Sequence, residues 1–307
     1  MRALRRLREW LSGAPARPVP VDWVRLGSAA DHRSFLATAA PELERRRAVE
    51  RSLVSGEEPF TVPGHCWVCA RPSGFRVDFQ YLPHRAPDGV LLPNWREQLL
   101  CPGCQLRNRM RATIHFLEER LAPAVDDPIF ITEQMTALSG CLSRRYPNLV
   151  GSEYLGEEIG LGELDDGGIR NESLTELTFP SGSFSLVVSL EVLEHVPDFR
   201  RALAECHRVL RPEGRLLFSV PFDPESGENQ VRATVDENGE VRHLLPPEYH
   251  GDPLRPEGCL AFYRFGWELL EQVRAAGFTE VNGYSFWSRD YGYLGSPLIL
   301  FLARSGA

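Results

Sequence analysis

The sequence predicts an α/β fold, a largely parallel sheet with helices on both faces, preceded by a small module built around cysteines. From Val125 to Ala307, apolar runs alternate with amphipathic stretches in the rhythm of strand–helix–strand units. One run, Phe184 to Leu190, is predominantly apolar along its length, as a strand covered on both faces should be. Upstream, four of the seven cysteines fall into two Cys-x₂-Cys pairs.

At 307 residues the chain exceeds one average domain, and its composition divides it in three. Residues 1–62 are arginine-rich and helix-like, 63–123 hold the cysteine pairs, and 124–307 carry the alternating pattern. The net charge is -8, and no lysine is present. A nucleic-acid partner is therefore not expected, because phosphate binding needs a basic footprint. Between Met1 and Pro15, Arg2, Arg5, Arg6 and Arg8 sit beside Leu4, Leu7, Trp10 and Leu11. This reads as a short amphipathic surface helix, without the uninterrupted apolar stretch of a secretory signal. No run reaches membrane-spanning length, and one short basic helix binds lipid weakly, so no membrane partner is expected.

Cys66-x₂-Cys69 and Cys101-x₂-Cys104 can each form a tight knuckle aiming two thiolates at one ion. Together they predict a closed tetrahedral Zn²⁺ site, structural because no position is left for water; His65 could replace one thiolate. Ordinary buried or redox cysteines are the alternative. The ligand spacing and the scattered remaining cysteines fit a reducing, cytoplasmic setting better than a disulfide framework. Arg107, Arg109 and Arg111 open a helix ending near Leu121, read mainly as a solvated face paired with Glu118 and Glu119, or else as a dock for an anionic substrate group.

In the last stretch, Pro128 to Thr132 reads as the first strand and Thr136 as the cap of the helix after it. Asn148 to Glu153 is the second strand. Phe184 to Leu190 follows a Gly182-Ser183 turn, and Asp198 caps a helix with Phe199, Ala202, Leu203, Cys206 and Val209 at helical spacing. Arg211 to Gly214 ends that helix, and Arg215 to Val220 is the next strand. Residues 221–262 form an insert, with Asp236-Glu237-Asn238-Gly239 as a hairpin signal, of the kind that shapes a substrate pocket. A helix over Gly266 to Ala276, stopped by Gly277, and strands near Val281 to Trp287 and Leu298 to Ala303 complete the sheet.

The text Leu174 to Val196, with Phe179-Pro180 and Glu191-Val-Leu-Glu194-His195, followed by Leu210-Arg-Pro-Glu-Gly-Arg-Leu-Leu-Phe-Ser-Val-Pro221, resembles motifs of small-molecule class I SAM-dependent methyltransferases. The resemblance covers roughly the last 180 residues. It implies a Rossmann-like class I methyltransferase sheet and S-adenosyl-L-methionine as the methyl donor. The family's Gly-x-Gly-x-Gly loop is absent, Glu133-Gln-Met-Thr-Ala-Leu-Ser139 standing in its place, so backbone approach to the cofactor must be arranged differently. By position, the resemblance makes Glu133, Glu153, Glu172, Ser173 and Glu191 candidate cofactor contacts, Glu153 taking the ribose.

The Glu-x-x-Glu-His pattern of Glu191, Glu194 and His195 also resembles the divalent-metal motif of ubiquinone-pathway O-methyltransferases and small-RNA 2′-O-methyltransferases. It implies a possible Mg²⁺ or Mn²⁺ site, to which His250 could add a ligand. The alternative is that Glu194 and His195 merely close the cofactor site. Within the insert, His243 and Tyr249-His250-Gly251-Asp252 offer a general base, with Asp252 to orient the imidazole, or simply an exposed turn. His250, His195 and Glu194 are thus the catalytic candidates. The expected reaction is methyl transfer to a small polar metabolite, a sugar or sugar nucleotide by analogy with sugar methyltransferases that carry a cysteine-rich zinc module. An RNA methyltransferase and a non-catalytic binding protein with the same fold are the alternatives.

Overall fold

The computed structural model describes residues 19–252, 254–295 and 298–306. The amphipathic helix expected before Pro15 lies outside them. The chain forms two compact units. The first contains residues up to Val24, Arg33–Pro123 and Ser285–Ile299, and the second contains Arg25–His32, Ala124–Tyr284 and Leu300–Ala307. Residues 124–307 read as one domain in the sequence; the fold assigns 285–299 elsewhere. The reason is apolar content that needs a core: Trp287 and Leu294 join Val62, Phe75, Val77, Trp95 and Leu99 in one buried cluster.

β1 (Val24–Leu26) and α1 (Ala29–Leu53) come first in the chain. The antiparallel hairpin of β2 (Phe60–Cys66) and β3 (Arg71–Val77) follows, and then α2 (Asn108–Phe116), prolonged by one π-helical turn, Leu117–Leu121. Glu50 of α1 is buried, and its Oε1 accepts the Trp287 indole N–H at 2.7 Å and the Gly295 backbone N–H at 2.8 Å. Burial pushes its carboxyl above the usual range despite these donors. A raised folded-state pKa contributes stability below the unfolded value that is lost as pH rises through the folded one. Thermal unfolding of the wild type should therefore show stability declining as pH rises above the ordinary carboxylate range. Glu50→Gln, which can keep both bonds through its amide oxygen, should flatten that decline; an unchanged slope would show that another group titrates.

In the second unit, β4 (Ile129–Ile131), α3 (Ala137–Ser143), β5 (Leu149–Gly151), β6 (Phe184–Leu190), α4 (Phe199–Val209) and β7 (Leu210–Ser219) follow in turn. α5 (Glu268–Ala275), β8 (Phe278–Ser285) and β9 (Ile299–Ser305) complete the Rossmann-like sheet, ordered β1-β8-β9-β7-β6-β4-β5. β5, β4, β6 and β7 run parallel, and β9 is antiparallel to β7. Both expected caps form: the Thr136 hydroxyl accepts from the Ser139 N–H and the Asp198 carboxylate from the Arg201 N–H. β7 starts at Leu210 rather than Arg215, because Leu210 pairs with Phe184 across a bulge and the Arg211–Gly214 turn is drawn into the strand. Among the described residues, no helix is long and apolar enough to cross a membrane.

Candidate functional site

β5 and β6 flank β4, so the chain reverses its direction across the sheet at β4. In open α/β sheets that switch point opens a crevice beyond the carboxyl ends of the strands. Two groups of expected site residues follow these ends: Glu153 after β5, and Glu191 to His195 after β6.

Glu153 Oε1 accepts the backbone N–H groups of Gln134 at 2.7 Å and Met135 at 2.9 Å. The loop that stands where glycines were missing is thus pinned by the carboxylate expected to face the ribose. The Gln134 side chain pins it again, donating to the Gly168 carbonyl and accepting from the Arg170 N–H. Gly151 makes the approach possible, since a Cβ there would lie 2.9 Å from the Glu133 carbonyl oxygen. Side-chain tethers replace glycine freedom. Glu172 is bound differently from its expected role: its carboxylate takes Arg170 Nε at 2.8 Å and the Thr178 N–H at 2.9 Å, bracing the loop from within. Ser173 shares its hydroxyl with Thr175.

Glu191 has φ of 55°, a region costly for a residue with a side chain, and Oε1 accepts from the Ser219 hydroxyl at 2.7 Å. It lies outside the cluster formed by Glu194, His195 and His250, whose ligand-type atoms fall within 4.8 Å of one another. Glu194 is fully buried, with Oε1 3.6 Å from His195 Nε2 and 3.5 Å from His250 Nδ1. Burial pushes its carboxyl pKa up. His195 Nδ1 lies 2.9 Å from the Leu260 carbonyl oxygen. A carbonyl only accepts, so Nδ1 carries a proton, and in the neutral ring the lone pair is on Nε2. His250 sits between two carboxylates, its Nε2–H donating to Glu248 Oε1 at 3.1 Å. Glu194 first, then Glu248, raise its pKa against the opposing effect of burial.

Asp252 does not orient His250; its carboxylate caps the Leu254 N–H at 2.7 Å. Glu248 does so instead, with its other oxygen 3.1 Å from Arg232 Nη2. The available signal was the two-residue spacing of Glu248 and His250, which places them on one face of an extended segment. His243 lies on an exposed hairpin strand, Val241–His243, and is not one of the grouped side chains.

The four cysteines of the first unit also converge. Cys66 and Cys104 sulfurs are 3.8 Å apart, as are those of Cys69 and Cys101. A disulfide would require about 2.05 Å. Four thiolates at about 2.3 Å from a tetrahedral zinc ion would lie about 3.8 Å from each other, so the donor set fits zinc. The arginines nearby are not a solvated face: Arg111 is fully buried, and Arg109 Nε bonds Glu97 at 2.8 Å.

Residues 141–218, from α3 through most of β7, match the Methyltransferase domain family. Among curated relatives, a probable S-adenosylmethionine-dependent methyltransferase of Mycolicibacterium smegmatis is 45% identical over 53 residues, 17% of this chain and 21% of that protein. A ubiquinone biosynthesis O-methyltransferase of Nitrosococcus oceani is 36% identical over 94 residues, 29% of this chain and 38% of that one. The matches thus span well under half the length of either relative. A solved S-adenosylmethionine-dependent methyltransferase from Mesorhizobium loti aligns over 66% of this chain and 100% of its own, with TM-score 0.41 and 19% identity.

Proposed function

We propose that this chain is a SAM-dependent methyltransferase that methylates a hydroxyl of a small polar metabolite, a sugar or sugar nucleotide, and that its cysteine module holds one structural zinc ion. The family match carries the methyltransferase part of the reading, because it spans β6 and the residues after it, Glu191, Glu194 and His195. SAM, when bound, supplies an electrophilic methyl group. The residues of this chain contribute position and proton transfer. Glu153 holds the loop after β4 and offers its second oxygen to the cofactor ribose. His195 Nε2 takes the proton of the acceptor hydroxyl, while Glu194 balances the imidazolium formed. His250, held by Glu248 and Glu194, adds positive charge where an alkoxide develops. Glu194, His195 and His250 would also be the ligands of a Mg²⁺ or Mn²⁺ ion, which would orient acceptor oxygens.

Calorimetric titration with SAM and S-adenosylhomocysteine tests the reading: both should bind, and absence of binding by either would overturn it. Glu153→Ala should weaken binding by about 1–3 kcal/mol, the range for losing a charged hydrogen-bond acceptor. An unaltered dissociation constant in the folded variant would remove Glu153 from the cofactor site. The second reading, a non-catalytic binding protein, is favoured by the backbone bonds already occupying Glu153 Oε1. In that reading the fold has lost SAM, so folded protein that binds neither SAM nor S-adenosylhomocysteine would support it.

A further inference from the structure

Arg111 is the largest wholly buried side chain among the described residues. Its guanidinium donates to the carbonyls of Tyr291 at 2.6 Å, Gly292 at 3.0 Å and Leu99 at 3.2 Å, and Nε, also buried, has no hydrogen-bond partner. Its cation lies over the Phe75 ring, 3.8 Å from the centroid. Carbonyls and ring faces solvate a cation but do not neutralise it, and no carboxylate among the described residues forms an ion pair with Arg111. A buried charge without a counter-charge is costly, so something anionic nearby should compensate it.

The hairpin places that anion. Gly64 and Cys66 share one face of β2, and Ser73 and Phe75 share one face of β3, with Gly64 opposite Ser73. The Phe75 ring crosses Gly64 so closely that a Cβ there would lie 2.6 Å from it, and the Ser73 hydroxyl is 3.5 Å from Cys101 Sγ. The ring under Arg111 is therefore one step along the strands from the sulfur cluster. Leu99, which accepts from Arg111, is two residues before Cys101. Four thiolates around one Zn²⁺ carry a net charge of about -2.

We infer that Arg111 is the built-in counter-ion of the four-cysteine metal centre, a buried cation whose charge compensates the anionic metal–thiolate cluster and raises its affinity for zinc. This rests on the reading of the cysteines as a zinc site. The zinc dissociation constant is measured by competition with a chromophoric chelator for the full-length wild type, Arg111→Lys and Arg111→Gln, with Co²⁺ absorption reporting the thiolate set. The glutamine variant, which keeps a donor but no charge, should bind zinc about 10–100-fold more weakly, as for other groups that act from behind metal ligands. The lysine variant should stay within about threefold of wild type if charge is what matters, a small change on the same scale. Equal zinc affinity in the glutamine variant and wild type, or equal losses in both variants, would overturn the inference. If the glutamine protein does not fold, the lysine protein decides: retained affinity supports the charge, and a tenfold loss rejects it. A wild type that binds neither zinc nor cobalt would instead remove the metal centre itself, and the counter-ion with it.

Discussion

Cys101→Ser should yield protein with no bound zinc and an unfolded first unit. The expected size follows from magnitudes: zinc held by such ligands contributes about 10–16 kcal/mol, comparable to or above the roughly 5–15 kcal/mol that keeps a whole domain folded. The loss would reach the core of the unit, because Cys66 and Cys101 are themselves part of its buried cluster. Elemental analysis should read one zinc per wild-type chain and none in the variant, and amides of β2 and β3 should lose protection from hydrogen exchange. Protein purified without chelator that contains no zinc, or a variant with full amide protection, would reject the structural role.

Glu194→Gln should lower turnover by about 10²–10⁴-fold, the span associated with a positioned acid or base, while affinity for S-adenosylhomocysteine stays within about twofold. The substitution removes the one buried carboxylate between His195 and His250 but keeps its shape. Loss of turnover with retained cofactor binding would separate proton handling from cofactor holding. Measuring turnover with and without added Mg²⁺ or Mn²⁺, while zinc content is monitored, distinguishes the two uses of the cluster. Metal-stimulated turnover that vanishes in the variant marks a divalent site, whereas turnover indifferent to added metal leaves the imidazoles as the active groups. A variant as active as wild type would displace the reaction from this cluster altogether.

The sheet was legible where periodicity and chemistry agreed. Phe184–Leu190 has the same limits in sequence and structure because a largely apolar run is bounded by a Gly-Ser turn on one side and by Glu191 on the other. Glu194 and His195 were legible from their motif. Glu248 was not, since its role depends on the chain bringing an exposed-looking insert back to Glu194, and only the two-residue spacing to His250 hinted at it. The loop after β4 was readable as a departure, but its remedy, a carboxylate nineteen positions away gripping two amides, is a tertiary fact. Arg111 was misread for the same reason: one arginine in a row of three looks solvated until Tyr291 and Gly292 arrive to cover it. Residues 285–299 carry strand-like text that continues β8, and nothing local marks their departure from the second unit.

That departure sets an order of events during synthesis. Asn108 donates to the Leu294 carbonyl across 186 positions, and Arg111 waits for partners almost as distant. At the ribosome's usual pace of about 5–20 residues per second, roughly 10–40 s separate the emergence of α2 from that of its last partners. The cysteine knuckles can capture their ion during this interval, while the buried cation and the aromatic floor beneath it remain uncovered. On the proposed zinc reading, a nascent chain passes through a metal-bearing but unsealed state, and a pause or early stop before residue 285 would leave that state as the final product.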